Sequence, residues 1–377
     1  MKENKLSLIT RIKISSGMFG GMYGAGYASG ATIVSFWLMR AGYLSVFTCL
    51  LSTALIVLYY YWSLETCRLY DLHDIRSLYE LLYGKQKRFI GLMDITVVVY
   101  QLAGLIFVFS GTGSLFAELF GISPYVSAAV MVVLCMIITA FGTEIFNNVS
   151  GICVSAIMLI CIVGYVIALI NGGFSGVVHN FSIHWMPEGV NVFSAIWYLF
   201  GGSVGFIYMS SVYILSTDGH LKTHKDVTAT LRIGWLLILI GVWLPCFAIL
   251  GFSPDSLGAN IITLDIFKKS VPGASGIYSL LLGIALLSTG VSMFMALANR
   301  FEKVLPQSIK SQRTRNFIIQ IIVSAVCFVT SRYGLTTMAM LCSNVLPPFA
   351  IITLLIPLVL RAPKLIREGR KKEIEEI

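Results

Sequence analysis

Apolar residues run along this chain in long blocks. They show neither the alternation of a half-buried strand nor the single stripe of a surface helix. A helix that crosses a bilayer takes ~20 mostly apolar residues. Ten blocks meet or approach that length, at roughly 12–39, 42–63, 91–118, 122–142, 148–170, 190–216, 231–252, 274–298, 315–332 and 335–360. Residues 149–170 and 233–252 contain no Asp, Glu, Lys or Arg. The first and sixth blocks are interrupted by glycines. The pattern predicts an all-α polytopic membrane protein with ten transmembrane helices.

Composition narrows the class. Of 377 residues, 57% are hydrophobic and 12% charged, half the ~25% charged fraction of soluble domains. Mean hydropathy is +0.84. These values exclude a soluble enzyme, a secreted disulfide scaffold and a disordered chain. Eight cysteines are present without a CxxC pair, and most lie in apolar runs, where Cys acts as a small hydrophobe. The first apolar run is too long and too glycine-rich for a cleavable leader. No GxxxxGK[ST], HExxH, nucleophile elbow or paired catalytic carboxylates occur, so neither an ATP-driven pump nor an enzyme is expected, and no cofactor.

The formal net charge of +9 would suit nucleic acid, but its placement argues otherwise. With the N-terminus inside, 23 Lys and Arg fall on inner segments, and only Arg40, Lys268, Lys269 and Arg332 on outer ones. This asymmetry predicts a multi-pass plasma-membrane protein with both termini cytoplasmic. The expected partners are the lipid bilayer and a small-molecule substrate, with no nucleic acid. Nothing in the pattern fixes an oligomeric state.

The chain divides into a first five-helix repeat (1–170), an outer connecting loop (171–189), a second five-helix repeat (190–360) and a basic cytoplasmic tail (361–377). Five spans per half put the halves in opposite orientations, as in an inverted repeat. The first span of each half carries a glycine cluster at its middle: Gly20 to Gly30 in span one, and Gly201, Gly202 and Gly205 in span six. Glycine permits unwound dihedrals and close approach of a ligand to backbone. Freed carbonyls can hold a cation, and the following half-helix N-terminus an anionic group. Close helix packing is the other reading. Matching positions in both halves favour a substrate site at Gly24, Ala25, Gly26, Tyr27, Gly201 and Gly205. Tyr100 and Gln101, near the middle of span three, are polar candidates for the same site.

The stretch Gly24-Ala25-Gly26-Tyr27-Ala28-Ser29-Gly30 resembles the GAGFASG signature of YkvI-like membrane proteins. These form a branch of the amino acid–polyamine–organocation transporter superfamily. The resemblance implies a LeuT-type 5+5 inverted repeat with broken helices 1 and 6. The chain departs from that family at Ala31-Thr32, where Gln-Glu is usual, and lacks the Asn often found near the second break. Ala285, Ser288 and Thr289 are similar to the stretch that supplies a sodium site in the wider superfamily. The resemblance implies that the Gly20 and Tyr23 carbonyls complete it. It also places Phe200, Ser203 and Phe206 in the substrate pocket.

Ionisable residues within the spans are few. Asp94 lies about one turn into span three, while Glu65 and Glu118 sit at span ends. Span five has no Lys, the residue that replaces sodium in some proton-coupled relatives. Asn344, Trp197 and Tyr198 are compatible with a pocket or with ordinary packing. His220 and His224 have i, i+4 spacing without a third ligand. The expected function is secondary active transport of a small amino acid or related metabolite by alternating access, coupled to sodium. The alternative is a ligand-sensing, transporter-like receptor or assembly subunit of the spore-germination permease type.

Overall fold

The computed structural model describes residues 6–22, 24–141, 143–196, 198, 199, 221–301, 311–330, 333 and 335–375. Among these residues the chain is helical, without strands.

The first predicted span is three pieces. Helix α1 (Leu8–Met22) is followed by the single turn α2 (Ala25–Ala28) and then by α3, which starts at Ala31–Ile33 and continues through a π-helical turn, Val34–Leu38, to Met39–Ala41. A 3-10 turn, Gly42–Leu44, leads into α4 (Ser45–Tyr70). The short α5 (Ile75–Tyr83) precedes α6 (Ile90–Phe120), α7 (Pro124–Phe141) and α8 (Thr143–Ala168). A π turn, Leu169–Gly173, joins α8 to α9 (Phe174–Ser182). The second half continues with α10 (His224–Ile238), a π turn Leu239–Trp243 and α11 (Leu244–Gly251). It ends with α12 (Ile262–Ser270), α13 (Ala274–Phe301), α14 (Gln312–Thr330), α15 (Leu335–Ala350), a π turn Ile351–Leu355 and α16 (Ile356–Glu375).

Among the described residues, six helical stretches are long and apolar enough to cross a membrane, and two shorter apolar helices accompany them. Part of the predicted outer loop 171–189 is therefore helix α9. The expected basic tail continues the last helix to Glu375. The 252–273 segment contains the buried helix α12, whose Ile262, Ile266 and Phe267 are fully enclosed.

Helix boundaries follow local chemistry. Asp74 caps α5 by accepting the Ser77 backbone N–H at 2.8 Å and the Ser77 hydroxyl. Those two donors hold the Asp74 carboxyl below its ordinary pKa. Thr223 caps α10 by accepting the Asp226 N–H at 3.2 Å, while its hydroxyl donates to the Asp226 carboxylate at 2.8 Å.

Helix α13 occupies the centre, against α6, α7, α8 and α14, and touches the short α2. A second group forms where α1 packs on α10, and α4 on α10 and α16. Helix α15 lies against α6 and the π-helical part of α3. The broken first span is thus held between a central helix and its surroundings.

Candidate functional site

The break in the first span starts at Gly24, which is extended (φ −80°, ψ −174°). Its carbonyl accepts from the N–H groups of Tyr27 and Ala28 and so opens the one-turn α2. The chain breaks again at Gly30, whose φ of +81° suits glycine; a Cβ there would lie 3.0 Å from the Thr263 hydroxyl. Carbonyls released by the second break are satisfied inside the protein. Ala28 O accepts the Tyr278 hydroxyl at 2.9 Å, and Ser29 O accepts the Thr263 N–H at 3.1 Å. Core helices therefore stabilise the unwound backbone in a low-dielectric surrounding.

A cavity of about 70 Å³ opens beside the first break. Gly24, Ala25 and Gly26 form one wall, with Tyr100, Ala103, Gly104 and Phe107 on α6 opposite. Thr289 and Met293 enter from α13, Thr32 and Phe36 from α3, and Ala339, Cys342 and Leu346 from α15. No lining side chain is ionisable by an acid or base other than the Tyr100 phenol and the Cys342 thiol. Backbone groups, hydroxyls and aromatic faces supply its polarity.

The structure brings together the predicted Gly24, Ala25, Gly26, Tyr100 and Thr289. A Cβ built on Gly24 would lie 3.6 Å from the Thr289 Oγ1, so these two positions face one another. Thr289 Oγ1 donates to the Ala285 carbonyl at 2.9 Å, the back-bond to the preceding turn expected of a helical Thr. Its oxygen keeps lone pairs for another donor or a cation. The Ser288 carbonyl accepts the Ser292 hydroxyl at 2.9 Å.

Two predicted residues stand apart from the cavity. Tyr27 is 2% exposed, belongs to the core and is not among the cavity-lining residues. Gln101, next to Tyr100 on α6, does not line the cavity, and its buried Oε1 has no hydrogen-bond partner among the described residues. Gly20 lies near the end of α1. Tyr23, Trp197, Phe200, Gly201, Ser203, Gly205, Phe206 and His220 lie outside the described residues.

Several lining residues were missed by the sequence reading, although helical spacing carries them. Thr32 and Phe36 are four apart; Tyr100, Gly104 and Phe107 step by four and three; Ala339, Cys342 and Leu346 step by three and four. Extending each predicted contact by i+3 or i+4 would have found those on α6 and α13. It would not have found α15, where the sequence analysis named only Asn344.

Asn344 serves a charge instead. Arg40, at the end of α3, is 9% exposed. Its Nε donates to the Ser35 carbonyl at 3.1 Å, and its Nη2 to Ser343 Oγ at 2.7 Å and Asn344 Oδ1 at 2.6 Å. The Tyr198 ring lies 4.3 Å from the guanidinium carbon.

At the opposite end of α4, Glu65 has a side chain 0% exposed. It accepts from Arg68 Nη2 and Arg370 Nη2, each at 3.0 Å, and lies 3.2 Å from His224 Nδ1. Arg68 also grips Glu373 through two nitrogens, at 2.6 and 3.0 Å. These bonds latch α16 onto α4 and α10. His224 is thus part of an ionic cluster. Asp94 pairs with Arg300 at 3.4 Å and Arg76 at 3.7 Å, as a helix-end carboxylate does.

No protein-family model and no curated relative matches the chain. Solved structures do. A manganese transporter of Eremococcus coleocola aligns with TM-score 0.63 and 14% identity, over 95% of this chain and 80% of that one. The inward-facing conformation of Mhp1 aligns with TM-score 0.62 and 9% identity, over 91% of this chain and 75% of that one. MhsT in complex with L-phenylalanine aligns with TM-score 0.53 and 13% identity, over 96% and 98%. These likenesses show the fold: that of the LeuT-type transporters.

Proposed function

We propose that this protein is a secondary active transporter of a small amino acid or related metabolite, working by alternating access with sodium as the coupling ion. One observation carries the reading: at the break in the first span, the extended Gly24 lines the cavity and faces Thr289 on the central helix. The fold supports it, since the similar structures are transporters, and one of them is described as a Na+-coupled sialic acid symporter. Ten spans in an inverted repeat, with both termini cytoplasmic, remain our topology.

The chemistry follows from the residues. An uncharged cavity in a membrane favours a ligand whose own charges meet backbone dipoles. The N–H groups at the start of α2 take an anionic group, and Tyr100 offers a phenol across the space. Phe107 and Phe36 supply apolar walls. Phe200, Gly201, Ser203, Gly205 and Phe206 form the wall from span six in this reading. Sodium prefers neutral oxygen ligands in such a place. The carbonyls of Gly20, Tyr23 and Ala285 and the hydroxyls of Ser288 and Thr289 provide five. Alternating access moves the α1, α4 and α10 group against α6, α7, α13 and α14, opening the cavity to one side at a time.

A thermal-shift screen of L-amino acids and amines in detergent, with sodium or choline as the cation, tests this. A ligand at 100 times its Kd adds about 2.7 kcal/mol of stability. One ligand class should raise the melting temperature in sodium and much less in choline. Thr289→Ala should lose the sodium dependence, and Gly24→Leu the ligand response. Equal shifts in the two cations would remove the sodium coupling, and no shift with any compound would remove the transporter reading.

A further inference from the structure

A cleft of about 760 Å³ shares no lining residue with the cavity beside Gly24. One wall is the end of α5 with the turn Gly84–Phe89 and the start of α6. The other is the π turn Ile351–Leu355 with the first residues of α16. Proline joins the two. Pro357 has no N–H to give the carbonyl four residues before it, at Thr353, and that carbonyl accepts the Tyr83 phenol at 2.7 Å.

The α16 wall is apolar along its length and cationic at its end. Ile352, Ile356 and Leu360 follow one another at four-residue spacing, over about 12 Å of helix. All three line the cleft, and they are 58, 47 and 71% exposed. On a segment apolar enough to cross a membrane, side chains so exposed meet hydrocarbon. The row ends at Arg361, and Lys85 enters from the opposite wall. Among the described residues, no carboxylate lines the cleft.

Topology alone asks for cations near the ends of inner helices. It does not ask for a walled cleft or for a guanidinium fitted to backbone. Gly84, with φ of +55°, makes that fit: a Cβ there would lie 2.9 Å from both terminal nitrogens of Arg361. The sequence of surfaces, an apolar row and then two cations, is that of a lipid chain and its phosphate. Basic pockets between transmembrane helices take anionic headgroups in this way.

We propose that this cleft binds an anionic glycerophospholipid, its phosphate taken by Arg361 and Lys85 and an acyl chain lying along Leu360, Ile356 and Ile352. The guanidinium fork offers paired N–H donors to phosphate oxygens, and the lysine adds a second positive charge. A phosphatidylcholine has the same chains and phosphate, but its choline cation opposes both residues. The site is independent of the transported solute and of the coupling ion.

The test uses purified full-length protein in detergent, with bound lipid counted by native mass spectrometry. The probes are phosphatidylglycerol and phosphatidylcholine of identical chains. Wild-type protein should bind phosphatidylglycerol about tenfold more tightly, the scale of a charge-assisted hydrogen bond. The double variant Lys85→Gln with Arg361→Gln should bind the two lipids alike, and either single variant should lose part of the preference. Lys364→Gln removes a cation of α16 that does not line the cleft and whose side chain is 77% exposed; it should keep the preference. Glycerol 3-phosphate and inorganic phosphate at millimolar concentration should displace little of the lipid. Equal binding of the two lipids by wild-type protein overturns the proposal, as does a preference that survives the double variant. A preference lost equally in Lys364→Gln marks a general basic surface and overturns the site. Full displacement by either soluble phosphate marks a site for free phosphate and overturns the lipid.

Discussion

Glu65 and Arg40 are both buried ionisable residues at helix ends, and they are treated oppositely. Glu65 is met by two arginines and an imidazole from three helices. Arg40 is met by neutral atoms alone among the described residues. A buried charge whose counter-ion belongs to the same chain is structural: remove one partner and the other is stranded. A buried charge held only by neutral groups adds little stability, because its desolvation is not repaid by a counter-ion.

The largest effect should therefore come from the matched charge. Glu65→Gln strands Arg370, leaves Arg68 with Glu373 alone and is expected to cost about 3 kcal/mol, seen as a lowered melting temperature in detergent. The double variant Glu65→Gln with Arg370→Gln should recover part of that loss, a coupling that a thermodynamic cycle measures. Arg40→Gln should behave differently, changing stability by about 1 kcal/mol or less, because the lost hydrogen bonds are offset by the removal of an uncompensated charge. If Arg40→Gln proves as costly as Glu65→Gln, the contrast between the two sites fails.

Gly24→Leu is a third, milder probe. Among the described residues, a Cβ at that position meets only the Thr289 hydroxyl, at 3.6 Å. The variant should fold with a stability change of about 1 kcal/mol and lose ligand binding. The smallest effect belongs to Asp74, away from both sites. Asp74→Ala should cost about 0.5 kcal/mol as a lost helix cap. Because the folded-state pKa of Asp74 is depressed, its contribution is present above the ordinary carboxylate pKa and fades as pH falls through the lower, folded value. Melting curves of wild type and variant should therefore converge in acid.

Much of this was legible in the order of residues. The apolar blocks mark the helices because a bilayer imposes length and composition on any segment that crosses it. The break between Gly24 and Gly30 was visible in its cluster of glycines, and at Gly30, with φ of +81°, few other residues accept the backbone. Thr289 was visible through its neighbours Ala285 and Ser288. The two ionic sites were not. Arg40 meets Ser343 across 303 positions, and Arg68 meets Glu373 across 305. Read in sequence, Arg40 is one outer charge and Glu65 one span end. Nothing local distinguishes a charge that sets topology from one that turns inward. Arg370 and Glu373 likewise read as part of a charged tail, because a latch is a property of two distant segments and not of either alone.

The central claim is that the cavity beside Gly24 carries its ligand across the membrane. Concentrative uptake into proteoliposomes tests it most directly, using a radiolabelled amino acid that stabilises the protein and an inward sodium gradient. The account predicts accumulation above the external concentration in wild-type vesicles and none with Gly24→Leu. Tight binding of the same amino acid without net flux would contradict it and would mark the protein as a receptor built on a transporter fold.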